Sequence, residues 1–211
     1  MQYEVHECVV AMVDKKSSIF VCYAHEDNES ELIKDRWLDR LLRFVTPLTR
    51  QLNLSVSSDK QIKTGDYWQF HIKGELDRAK AAILLVSPAF LASEYIVDNE
   101  LPVLLKRAAD KGTVILPIII SPCMYAQAVF KYPDPKHGPN KLSLKALQSA
   151  NPPSKTLIEM TEAEQNRVFL QVASRLAGLI VEPERKSEDE PRLPIETVKD
   201  YMKRSGLVEG D

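Results

Sequence analysis

The run Ala81-Ala-Ile-Leu-Leu-Val86 is apolar without alternation and stops abruptly at Ser87-Pro88. A strand with one wet face alternates apolar and polar residues. A short unbroken run belongs instead to a strand covered on both faces, as in a parallel sheet between two helical layers. Ile19 to Ala24 and Val114 to Ile120 repeat the pattern, the first ending in the polar cluster His25-Glu26-Asp27-Asn28. Helical periodicity fills the intervals between these runs. Strands alternating with helices predict an α/β fold: a flavodoxin-like open parallel five-stranded sheet, order 2-1-3-4-5, with helices on both faces. In such sheets ligands bind at the carboxyl edge of the strands. The amphipathic segment after Ser87-Pro88 runs to Leu105 and carries Glu100 to that edge, which makes Glu100 the candidate chemical centre.

The other elements follow from local signals. Leu32 to Leu52 reads as a helix, with Trp37, Leu38, Leu41, Leu42, Val45, Leu48 and Leu52 at steps of three and four. Arg36, Arg40 and Arg43 share a second face, read as solvated, and Pro47 predicts a kink or break. Leu54 to Asp59 alternates and predicts a second strand nearer an edge. In the next loop Gly65 permits a turn and Asp66 is placed to cap a helix from Tyr67 to Lys80. Ser93 is placed to cap a further helix ending near Lys111, with Gly112 as terminator. Pro102 cannot donate to the carbonyl of Asp98, so that helix is expected to bend or restart beside Glu100; a restart would place Glu100 at a positive helix end. Tyr125 to Pro153 reads as a long Pro- and Gly-bearing loop holding a short helix, Leu142 to Gln148. Lys155 to Met160 is the expected fifth strand. Thr161 and Glu164 spell a capping box for a last helix, Glu162 to Ile180.

Domain organisation follows from composition. Residues 1–16 form a leader in which Val9 to Val13 has weak strand or helix character, and residues 17–181 form the domain. Residues 182–211 form an acid-rich, Pro-bearing linker with one short helix, Ile195 to Leu207. The formal net charge of −2 gives no electrostatic reason to expect a nucleic acid or an acidic membrane surface. The N-terminus is acidic where a signal peptide is basic, and no apolar run approaches the ~20 residues of a membrane helix. A cytoplasmic protein with no membrane span is therefore expected. Cys8, Cys22 and Cys123 are odd in number and far apart, which predicts reduced thiols rather than a disulfide framework or zinc site.

Several chemistries lack their motifs. There is no GxGxxG and no GxxxxGK[ST]. GxSxG is missing, and Ser87 precedes a proline, which argues against a nucleophile elbow. His6, His25, His71 and His137 show neither HxxxH nor HExxH spacing, so no metal is expected. A phospho-receiver needs an aspartate at the end of its third strand, where this chain has Val86-Ser87-Pro88.

Four stretches in order carry a resemblance. Phe20-Val-Cys-Tyr-Ala-His-Glu-Asp27 resembles the first box, F-x-S-Y-S-H-x-D, of bacterial Toll/interleukin-receptor (TIR) domains. Asp59 to Trp68, ending Gly65-Asp66-x-Trp68, is similar to the second box and its BB loop. Ser87-Pro88-x-Phe90-Leu91-x-Ser93 with Asp98-x-Glu100-Leu101-Pro102 is similar to the family's C-helix region. Asn151-Pro152-Pro153 before the capped last helix also fits. The resemblance covers roughly Ser17 to Val181.

The resemblance implies an NAD+ nucleosidase that cleaves the nicotinamide–ribose bond, with NAD+ as substrate and no further cofactor. Glu100 maps onto the catalytic glutamate. Tyr23, Ala24 and His25 would line the ribose or nicotinamide pocket, and Ser87 would sit on its floor. Lys60, Ile62 and Gly65 would belong to the BB loop, which completes the site from a neighbouring protomer, with Trp68 as a packing anchor. Self-association through the BB loop and C-helix region, and a role in antiphage defence, are further implications. A lone carboxylate suits the chemistry. Nicotinamide is a good cationic leaving group, and what needs stabilising is an oxocarbenium-like ribosyl transition state. Departures are Cys22 and Ala24 for serine, and Ile96 where catalytic members often carry tryptophan, with Tyr95 beside it. The alternatives are an interaction module that only pairs with other TIR domains, and a sensor that binds a nucleotide without cleaving it.

Overall fold

The computed structural model describes residues 18–51, 55–58, 74–134 and 138–181. The three apolar runs become β1 (Ser18–Tyr23), β3 (Ala79–Val86) and β4 (Val114–Ile119), and the alternating run becomes the short β2 (Ser55–Ser57). All pair in parallel, in the order β2-β1-β3-β4. This is the flavodoxin-like arrangement, with β2 at the edge as its alternation predicts.

Strand periodicity splits the core into two layers. Phe20, Cys22 and Ala24 of the β1 segment join Ala82, Leu84 and Val86 of β3 on one face. Ile19, Val21 and Tyr23 join Ala81, Ile83 and Leu85 on the other. Each inner strand thus needs apolar residues on both sides, which is why its sequence does not alternate. The first face packs against α2 (Pro88–Ala92) and α3 (Leu101–Lys111). The second packs against α1 (Trp37–Gln51) and α4 (Glu162–Val181).

The helices depart from expectation in instructive ways. α1 begins at Trp37 after a single 3-10 turn at Ile33–Asp35, and it runs through Pro47 without a break. The Thr46 and Thr49 hydroxyls donate to the Leu42 and Thr46 carbonyls there, at 2.7 and 2.8 Å. The arginine face is not uniformly solvated. Arg40 is buried, with its guanidinium over the Trp37 and Phe169 rings and donating to the Lys34 carbonyl at 2.8 Å. It ties α1 to α4, and its long stem fills the space between them. Residues 74–78 are helical, but β3 starts at Ala79, two residues before the expected boundary. Gly112 terminates α3 as expected, at φ 69°, with its N–H on the Arg107 carbonyl. The Asp66 cap, the leader and the linker with its short helix lie outside the described residues.

The expected fifth strand is absent among the described residues. Thr156-Leu-Ile-Glu159 is itself a capping box. The Glu159 carboxylate accepts from the Thr156 N–H and hydroxyl, both at 2.7 Å, and closes a 3-10 turn at Leu157–Glu159. With the Thr156 amide held by the Glu159 side chain and the backbone closed into that turn, the stretch cannot run as a strand beside β4. The outer edge of β4 is covered piecemeal instead. The Asn151 side chain accepts from the Ile119 N–H at 2.9 Å and donates to the Ile119 carbonyl at 3.0 Å, so one amide imitates a strand. The Ala150 and Ile158 N–H groups donate to the Pro117 and Ile120 carbonyls. A blunted edge of this kind denies a second chain a template. The stretch read as a long loop holds an antiparallel hairpin, β5 (Val129–Asp134) and β6 (Gly138–Ser143). The predicted helix at Leu142 to Gln148 shrinks to a 3-10 turn at Leu144–Ala146. The Tyr125 hydroxyl anchors this region by donating to the Leu144 carbonyl at 2.7 Å. The Thr161–Glu164 box caps α4 as read from the sequence.

Two outcomes follow. Asn151→Leu leaves the buried amide of Ile119 unpaired, so it should destabilise the domain by about 2–3 kcal/mol in urea unfolding. Burial raises the Tyr125 hydroxyl from 10.0 to about 12, against an opposing hydrogen bond with Ser149. Because its folded pKa lies above the unfolded one, its contribution is complete below pH 10 and is lost as pH rises through about 12. Tyr125→Phe should remove that alkaline component, measured as the unfolding midpoint against pH.

Candidate functional site

The carboxyl ends of β1 and β3 meet side by side, with Cys22 opposite Leu84 and Tyr23 opposite Leu85. Each strand runs directly into a short element. β1 enters a 3-10 turn at His25–Asn28, and β3 enters α2. The Ser87 hydroxyl joins the two. It accepts from the Phe90 N–H at 3.0 Å, capping α2, and donates to Asp27 Oδ2 at 2.6 Å. On its other side the turn is held by Asn28, whose Oδ1 accepts the Asp39 N–H in the first turn of α1. Burial raises the Asp27 carboxyl above its ordinary value. The Ser87 bond opposes the shift and Glu26 adds to it. Burial also pushes up the Cys123 thiol; the Tyr125 backbone opposes this and the Asp27 charge reinforces it.

Glu100 reaches this edge through an irregular helix. Ser93 accepts from the Ile96 N–H, as a cap would. The chain then widens into a π-turn at Ile96–Glu100, with the Leu101 N–H bonded to the Ile96 carbonyl. Of the two expectations, bend or restart, the helix bends: the backbone stays right-handed through Glu100 and Leu101, and Pro102 falls in the first turn of α3, where a missing N–H costs little. The side chain of Glu100 does not cap α3. It is 3% exposed, and its Oε2 accepts a hydrogen bond from the Cys22 thiol at 2.6 Å. π-turns concentrate at functional positions because the extra residue re-aims a side chain. Here it turns a carboxylate inward between exposed Asp98 and Asn99 on one side and buried Leu101 on the other.

The residues singled out from the sequence divide as follows. Cys22, Ala24 and Ile96 belong to one core layer, and Glu100 joins that layer through Cys22. Ile96 is packed into that core, 4% exposed. Tyr23 lies on the opposite face of the sheet, with its ring stacked on His25 at 5.4 Å. Ser87 is buried and engaged at the strand end. Lys60, Ile62, Gly65 and Trp68 lie outside the described residues. Two roles were missed in the sequence. Cys22 registered as a reduced thiol and a departure from serine, and Asp27 as part of a polar cluster and of the first-box resemblance, neither with a bonding partner. Alternation sets Cys22 on the face of Ala24 rather than Tyr23, but it does not show the contact with Glu100.

Two concavities lie elsewhere, along α1. One, of about 650 Å³, is a shallow groove lined by Leu42, Arg43, Pro47 and Arg50. The other, of about 270 Å³, lies between Arg40, Phe44 and Glu162. Neither is lined by Glu100 or Cys22, and the larger lacks the buried, convergent polar groups of a ligand site. Among the described residues no group of three or more His, Cys, Asp or Glu could hold a metal ion, and no helix is long and apolar enough to cross a membrane.

The site thus consists of a parallel, helix-covered sheet with Glu100 buried beside its first strand. The TIR domain profile matches residues 19–147, and the chain belongs to the TIR domain family. It is 27% identical over 113 residues to the uncharacterized protein y4lF of Sinorhizobium fredii (strain NBRC 101917 / NGR234), a stretch that is 54% of this chain and 33% of that protein. The match thus spans about a third of that relative's length. Among solved structures it is similar to the TIR domains of the activated Roq1 resistosome directly recognising the pathogen effector XopQ. The TM-score is 0.41 at 10% identity, covering 90% of this chain and 99% of that one.

Ser87→Ala should cost about 1–2 kcal/mol through the lost α2 cap. It should also move the Asp27 carboxyl further upward, since the bond that opposes the burial shift is gone. Carboxyl-carbon NMR titration reads the second effect independently of the first.

Proposed function

We propose that this domain cleaves NAD+ at the nicotinamide–ribose bond, releasing nicotinamide and ADP-ribose or its cyclised form, when protomers associate. The observation that carries the reading is Glu100, buried against β1 in a chain of the TIR domain family. Departure of nicotinamide leaves positive charge on the ribose. A carboxylate in a water-poor setting opposes that charge more strongly than one in bulk solvent. Hydrogen bonds from the ribose hydroxyls to the same carboxylate would hold the sugar in place. Each charge-assisted bond of this kind is worth about 1.5–3 kcal/mol, or roughly one to two powers of ten in rate. Ala24 and His25 at the end of β1, and Ser87 at the end of β3, would flank the sugar. Lys60, Ile62 and Gly65 would approach from the BB loop of a neighbouring protomer. Signalling by self-association, in a bacterial immune setting inside the cell, is part of the same proposal.

One observation favours a second reading. Ile96 packs into the core where an aromatic would stack on substrate, which suits a module that pairs with other TIR domains without turnover. Incubation of concentrated protein with NAD+, followed by nicotinamide quantitation, separates the two. The enzymatic reading expects release that falls at least about tenfold in Glu100→Ala. Equal release by both proteins, or none from wild type across crowding and self-assembly, sinks it and leaves the pairing module.

A further inference from the structure

We infer that Cys22 is a positioning residue for Glu100, its thiol fixing the orientation of the carboxylate that faces the ribose; this rests on the reading of Glu100 given above. The terminal torsion of a glutamate is broad, so an untethered carboxylate rotates through many orientations. A donor on one oxygen selects among them. The Cys22 S–H is that donor to Oε2. Both groups are nearly without solvent, Cys22 at 1% exposure and Glu100 at 3%, so water does not compete and the bond gains from the low local dielectric.

The thiol is itself well anchored. Cys22 sits in β1, paired at its own position with Leu84 of β3, while β2 pairs with the start of the same strand at Ser18–Phe20. Its face of the strand is packed by Phe20, Ala24 and Leu84. A group mounted on an inner strand holds position better than one on a loop. Glu100 comes from the π-turn, a less regular element. The contact therefore fastens the irregular partner to the regular one across 78 residues of sequence. The residue type fits as well. Cysteine here departs from the serine of the first-box pattern, yet both side chains donate one hydrogen bond, whereas alanine donates none.

The test combines a spectroscopic and a kinetic arm on the full chain. The S–H stretching band of Cys22 is assigned in the infrared as the band that disappears in Cys22→Ser, with Cys8 and Cys123 as internal references. It is expected below the frequency of a free thiol in wild type and should rise to it in Glu100→Leu, which has no acceptor. In NAD+ turnover, Cys22→Ala should lower kcat about tenfold with KM nearly unchanged, Cys22→Ser should retain most of the activity, and Cys22→Ala should add no further loss in a Glu100→Gln background. A Cys22 band unmoved by Glu100→Leu, which removes the acceptor, overturns the contact without any need for the Cys22→Ala protein to fold. A Cys22→Ala enzyme that turns over like wild type overturns the role. So does an equal loss in the alanine and serine variants that tracks their melting temperatures. If wild type releases no nicotinamide, the NAD+ reading fails and the role with it, while the infrared band still reports on the contact; the two failures are thereby told apart.

Discussion

Glu100 gives up nearly all contact with water, and a carboxylate so placed is tolerated only where protein groups stand in for the solvent. The Cys22 thiol is one such group, and it is available because β1 carries it at the right depth on the right face. That depth is set by the pairing of β1 with β3, Cys22 opposite Leu84. The pairing in turn rests on two apolar layers that cover the strands on both sides. Core packing and site chemistry are therefore one problem here. A shift of β1 by one residue would exchange Cys22 for Tyr23 and turn the donor to the opposite layer.

The second requirement is a way to bring a carboxylate inward from a segment that is otherwise amphipathic. A regular helix from Ser93 onward would have set Pro102 against the carbonyl of Asp98. The π-turn avoids this conflict. It hands the Leu101 amide to Ile96, admits Pro102 into the first turn of α3, and rotates Glu100 into the layer it shares with Cys22. The Ser87–Asp27 bond does the companion task at the strand ends, fastening the turn after β1 to the start of α2. Between them these contacts tie together the segments that would surround a bound sugar.

The inner strands were legible in the sequence because strands covered on both faces must be continuously apolar, and few other elements of that length are. Glu100 was read as the candidate centre because it follows such a strand. The failures have local causes. The fifth strand was read from Leu157 and Ile158, but the Thr156–Glu159 box curls that stretch into a 3-10 turn, so its Ile158 amide alone is seen to reach the end of β4, at the Ile120 carbonyl. The hairpin at Val129–Asp134 and Gly138–Ser143 was hidden by its prolines, which read as loop. Arg40 was taken as solvated because the pattern records polarity and not the aromatic faces of Trp37 and Phe169 that receive it. Cys22 was passed over because its role lies in a contact with a residue far along the chain, which no local pattern encodes.

The central claim is that the carboxylate beside β1 meets the ribose of NAD+. A crystal structure of the domain with a non-cleavable NAD+ analogue tests it most directly. The account predicts the ribose hydroxyls at hydrogen-bond distance, about 2.6–3.2 Å, from the Glu100 carboxylate, with the nicotinamide end toward Ala24 and His25. An analogue lodged in the groove along α1, or bound with its ribose remote from a Glu100 that still touches only protein, would contradict it.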